Sequence, residues 1–151
     1  MRIRKDDDND IIRQIRESFQ DPFASIDPLE ISTESEAEEE STKIINLLHS
    51  NDWTKKLDAI QKSLSLLKGG ALNFQTFDIN EILSLTSLAL IDVRTTMVKY
   101  GTLLITAASQ ILGDNFANCA DFVIPNLFKQ TNSGKIFITG SCKNTIFSIV
   151  T

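Results

Sequence analysis

The chain is short of the residues that chemistry and covalent scaffolding need. It has one histidine, His49, and two cysteines, Cys119 and Cys142, set 23 positions apart in 151 residues. That supply makes neither a disulfide framework nor a zinc site, and it leaves no Cys-His dyad. Both cysteines are expected to be reduced and to sit in apolar helix faces. No apolar run approaches the roughly 18 residues a membrane span requires. The opening Met-Arg-Ile-Arg-Lys leads into Asp-Asp-Asp-Asn-Asp at 6–10 with no apolar core, so a signal peptide is not expected. Gly69-Gly70 is followed by no Lys-Ser or Lys-Thr, so it is no phosphate loop. No nucleophile–base pair, metal set or cofactor motif emerges, and an enzyme is not expected. No alternation of aromatic and basic residues suggests a nucleic-acid platform.

What is present is divided. Residues 1–40 hold five basic and thirteen acidic side chains, whereas residues 41–151 hold ten and seven. The net charge of −5 therefore belongs to an acidic tail, and the remainder is mildly basic. Asp-Pro occurs twice in residues 21–40, followed by Ser-Thr-Glu-Ser-Glu-Ala-Glu-Glu-Glu, a composition that reads as a solvated linker. Ahead of it, Ile11, Ile12, Ile15 and Phe19 share one helical face, marking a short amphipathic stretch over 10–19. The domain reading is a mostly disordered acidic tail over 1–40 and a folded unit over 41–151.

From residue 41 the apolar spacing is helical, and strand competes with helix only over 135–141. The pattern predicts six helices, near 41–49, 54–68, 77–90, 95–112, 115–130 and 135–150. Asp52, Asp92 and Asp114 stand where N-caps are expected. Lys68-Gly69-Gly70 and Leu112-Gly113 read as helix ends. Pro125 falls inside a helical run and removes one backbone bond there.

The helices repeat. Trp53, Arg94 and Lys135 are each 41 residues apart, and each opens the second helix of a pair. At the same offset Leu57, Val98 and Thr139 align, as do Leu64, Ile105 and Ile146, and Leu67, Ala108 and Ile149. Asn51, Asp92 and Ser133 precede the second helices. A two-helix unit with a period near 40 residues is the mark of a HEAT-type array. The expected fold is all-α, an α-solenoid of about three HEAT-like helical hairpins. The sixth helix is apolar to its end at Phe147, Ile149 and Val150, so it is expected to be sticky unless the 11–19 stretch covers it.

The stretch Asn51-Asp52-Trp53-Thr54-Lys55-Lys56-Leu57-Asp58-Ala59-Ile60 resembles the start of a TOG domain, the HEAT-repeat module that binds tubulin. With Leu66-Leu67-Lys68-Gly69-Gly70-Ala71, Asp92-Val93-Arg94-Thr95, Ile111-Leu112-Gly113-Asp114-Asn115-Phe116 and Val123-Ile124-Pro125-Asn126-Leu127, residues 44–150 resemble the N-terminal type of TOG domain in the cytoplasmic linker-associated (CLASP) proteins. They correspond to about the first half of such a domain.

The resemblance implies a non-catalytic module of the cytoplasm and cytoskeleton. Tubulin or microtubules, and other cytoskeletal proteins, would be its partners, and neither nucleic acid nor membrane. It also implies that the turns inside each repeat form the binding edge, with Trp53, Lys55, Lys56, Arg94 and Lys135 as tubulin contacts. Trp53 has two readings, a core residue or an interface anchor; its place in a turn beside a capping Asp favours partial exposure. The lysines and arginine near helix N-termini oppose the helix dipole, a small cost that a negatively charged partner would offset. A generic HEAT or armadillo-type adaptor is the alternative reading.

Overall fold

Four small or apolar residues in the acidic stretch decide where the fold begins. Ala37, Ser41, Ile44 and Leu48 recur at intervals of three or four, and all are buried. They form the inner stripe of α1 (Glu34–Leu48), so residues 34–40 are the first half of a helix and not part of a solvated linker. The Thr33 hydroxyl accepts from the Glu36 amide at 3.1 Å, and the Glu36 carboxylate accepts from the Ser32 amide at 2.8 Å. This reciprocal cap satisfies two otherwise orphaned donors. Glu34 and Glu36 lie in the first turn, where the helix dipole favours negative charge.

The computed structural model describes residues 13, 21–91, 94–130, 145, 146 and 149. The remaining helices are α2 (Trp53–Lys68), α3 (Ile79–Ala89), α4 (Thr95–Leu112) and α5 (Ala117–Gln130). No strand occurs among the described residues. The hairpins are α1 with α2 and α3 with α4. Across hairpins, α1 packs on α3 and α3 on α5, while α2 packs on α4. First helices thus form one layer and second helices the other, the arrangement of an all-α HEAT-like solenoid.

The 41-residue register holds where it is described. Val98, Leu64, Ile105, Leu67 and Ala108 are buried, and Leu57, Ile146 and Ile149 pack against the same core. Helix α4 lies at its centre, with eleven of its 18 residues buried. Thr145 is buried too, and its hydroxyl accepts from the Thr106 hydroxyl at 3.1 Å. The 135–141 stretch, Lys135, Cys142, Phe147, Val150, Val93 and the amphipathic positions Ile11, Ile12, Ile15 and Phe19 lie outside the described residues.

One expected cap is absent and another falls outside the described residues. Asp114 lies in a 3-10 turn, Gly113–Phe116, that leads into α5, so it does not cap a helix. Helix α4 takes Arg94 as its N-cap residue, with no side-chain cap, and Asp92 is outside the described residues. Asp52 does cap α2, and Asp78, not foreseen, caps α3.

Residues 21–33 run without helix over the second-helix layer and are fastened there. The Lys68 ammonium donates to the carbonyls of Phe23 at 2.9 Å and Ile26 at 2.6 Å. The Leu29 amide donates to the Ser65 carbonyl at 2.9 Å. Phe23 and Ile26 pack on the core, and Asp21, Pro22, Ala24, Ser25 and Ile26 share a small cavity with Lys99, Tyr100 and Leu103 of α4. Gly69 makes this approach possible: a Cβ there would collide with the Leu29 carbonyl. Gly70, at φ 94°, then turns the chain out of α2.

A second set of polar ties joins α1 to the segment before α3. The Thr76 hydroxyl donates to the Glu34 carbonyl and carboxylate at 2.6 and 2.7 Å. The Ser41 hydroxyl accepts from the Asp78 amide at 2.9 Å. Asn126 of α5 donates its amide to the Ser87 hydroxyl of α3 at 3.0 Å.

Candidate functional site

The turn between α1 and α2 is built by short polar side chains. His49 is the exposed C-cap of α1, its amide donating to the Ile45 carbonyl at 3.2 Å. The Ser50 hydroxyl accepts from the Asp52 amide at 3.1 Å. One Asp52 oxygen accepts from both the Thr54 amide at 3.0 Å and the Thr54 hydroxyl at 2.7 Å. The Thr54 hydroxyl bond, then the Thr54 amide, with the Lys55 charge assisting, holds the Asp52 carboxyl below its ordinary value. This pins the entry to α2 and leaves Trp53 as its first helical residue.

Trp53 satisfies neither sequence reading alone. It is half-buried and packs against the core, yet one side remains accessible. Arg94, exposed at the start of α4, sets its guanidinium carbon 4.6 Å from the centre of the Trp53 ring. The two residues come from consecutive repeats, so the structure brings these two predicted site residues together. Such a stack contributes about 0.5–1 kcal/mol at an exposed position.

Lys56 stands three positions beyond Trp53, on the same side of α2, and is half-buried. Lys55 is separated from them. Two residues past Trp53 means about 200° around the helix, and its exposed ammonium belongs with Lys43 and Lys62 around a different groove. Lys135 lies outside the described residues. Of the expected site residues, Trp53 and Arg94 are thus in contact and Lys56 lies on the same side of α2 as Trp53, while Leu88 and Ile91 are exposed close to the second turn in sequence at 51% and 52%. Those two apolar residues were not singled out in sequence, because an apolar residue ending a helix reads as core.

The arrangement offers a surface for contact. Among the described residues no group of three or more His, Cys, Asp or Glu side chains is placed to hold a metal ion. Cys119 is buried and its thiol is pushed up by desolvation, the opposite of an activated nucleophile. No described helix is long and apolar enough to cross a membrane.

The family model for the CLASP N terminal region matches residues 38–151. The CLIP-associated protein of Arabidopsis thaliana is 32% identical over 125 residues, covering 80% of this chain and 9% of that protein. CLIP-associating protein 1 of Xenopus tropicalis is 28% identical over 128 residues, covering 82% of this chain and 9% of that protein. The chain thus spans about a tenth of the length of these curated relatives.

Proposed function

The chain belongs to the CLASP N-terminal family, and from that premise we propose that it is a non-catalytic tubulin-binding module that regulates microtubule dynamics. Its contact surface is the edge formed by the turns inside successive repeats. The observation that carries the proposal is the Arg94–Trp53 stack, which brings residues at the openings of two successive second helices into contact. An aromatic ring wet on one side, beside a guanidinium and a lysine, is the residue mixture of an interface hot spot.

The mechanism is recognition without chemistry. Lys56 and Arg94, with Lys135 added from the third repeat, steer the module toward a negatively charged partner and fix its orientation. Trp53 supplies the desolvated anchor. Because the turns belong to separate repeats, their relative positions follow the curve of the solenoid. The edge therefore favours the tubulin curvature that matches it, and that preference is the route to altered microtubule growth. Such a protein works in the cytoplasm, on the cytoskeleton.

The test is gel filtration with free tubulin and co-sedimentation with microtubules, using the wild type, Trp53→Ala, Lys56→Glu, Arg94→Glu and Lys135→Glu. Binding lost in Trp53→Ala and weakened in each reversal, more strongly at low salt, supports the reading. Indifference of all four variants would leave only a generic HEAT adaptor.

A further inference from the structure

On the side of α2 opposite Trp53, about 180–200° around the helix, lies a shallow groove of about 400 Å³. Lys43, Asn46 and Leu47 of α1, Ser50 of the turn, and Lys55 and Lys62 of α2 line it. Three lysines from two helices thus line one space, with no acidic residue in the lining itself. The chain's own acids already indicate what the lysines accept. Glu39 reaches Lys43 at 3.1 Å, and Glu40 reaches Lys43 at 3.8 Å and Lys62 at 2.6 Å. Lys55 has no carboxylate within ion-pair distance of its ammonium among the described residues; Asp52 feels its charge and accepts from its backbone amide.

We propose that this groove is a second docking site, which takes a short, extended, acidic peptide segment of a partner protein. Carboxylates of that segment displace Glu39 and Glu40 from Lys43 and Lys62 and engage Lys55 as a third contact. Lysine ammoniums are point charges that accept successive carboxylates along a strand. They lack the planar fork by which arginine grips a single phosphate, and no arginine lines the groove. Asn46 and Ser50 offer hydrogen bonds to a peptide backbone, and Leu47 gives a floor for glutamate methylenes. No aromatic side chain lines the groove to stack a base, so a single-stranded nucleic acid fits it poorly. The site stands apart from the Trp53–Arg94 edge and does not depend on the tubulin reading.

The internal glutamates make the proposal separable from mere surface charge, because they are competitors built into the site. The experiment measures fluorescence anisotropy of a short labelled glutamate-rich peptide at low ionic strength, with circular dichroism of every variant. Lys55→Glu and Lys62→Glu are each expected to weaken binding about fivefold, and Glu40→Gln to tighten it about twofold. Trp53→Ala is expected to leave peptide affinity unchanged while it alters tubulin binding, so failure of one site is distinguishable from failure of the other. The proposal is overturned if the wild type does not bind the peptide, or if the lysine reversals are without effect. It is equally overturned if Glu40→Gln weakens binding, or if a single-stranded oligonucleotide of matched charge binds as tightly as the peptide.

Discussion

The Arg94 guanidinium lies over the indole of Trp53, 4.6 Å from the ring centre, although 41 residues separate the two in sequence. The spacing is one repeat. A single cation–π contact therefore reports whether adjacent hairpins are stacked in register.

A double-mutant cycle on this pair should give a coupling of about 0.5–1 kcal/mol in urea unfolding. Trp53→Ala alone should cost about 1–2 kcal/mol, less than a full core truncation, because the ring is only half-buried. A loss above about 3 kcal/mol would mean that the ring serves the core and not the edge.

Gly69→Ala should destabilise the protein by more than the few tenths of a kcal/mol expected at an open helix end. The added methyl meets the Leu29 carbonyl. Two-state unfolding midpoints check this, and deleting residues 1–31 should remove most of the Gly69→Ala penalty. An undiminished penalty in the deletion would place the strain elsewhere.

Thr33→Ala should cost about 1 kcal/mol and Thr33→Asp much less, since either side chain oxygen can accept from the Glu36 amide. Hydrogen exchange should localise the Thr33→Ala effect to the first turns of α1. Uniform exchange across the chain would contradict a local cap.

Acid should loosen two specific joints. The Thr76 hydroxyl and amide lower the Glu34 carboxyl, and the Thr54 hydroxyl and amide lower that of Asp52. Groups whose folded pKa is depressed add stability that is present above their unfolded values, 4.5 and 3.8. That contribution is lost as pH falls through the lower folded values. Denaturation midpoints from neutral pH to about pH 3 should therefore fall on the acid side, and Glu34→Gln with Asp52→Asn should flatten that limb.

The sequence was legible where burial and helical period agree. Helix α4 begins and ends where its apolar spacing predicts, because more than half of its positions face the core. Helix α1 was hidden by composition: seven residues of an acidic run read as solvated, although Ala37 and Ser41 sit in the same stripe as Ile44 and Leu48. The strap over 21–33 left no periodic signal at all, since its bonds run through backbone carbonyls to Lys68. At the edge, adjacency in sequence misled. Lys55 and Lys56 look like a pair, yet one helical step sends them to different surfaces. The 41-residue spacing put Trp53 and Arg94 at equivalent positions of successive repeats, whereas their direct contact needed the turn geometry.

The Lys68 clamp has a mechanical consequence. Tension applied at the amino-terminal side of residue 21 passes first along the strap, through the two carbonyls held by Lys68 and the Leu29–Ser65 bond, before it reaches α1. Those bonds anchor the strap to α2, so the load enters the solenoid in its second helix and bypasses the first. A chain tethered at that end and pulled should yield in two steps, with the strap peeling away before any hairpin opens.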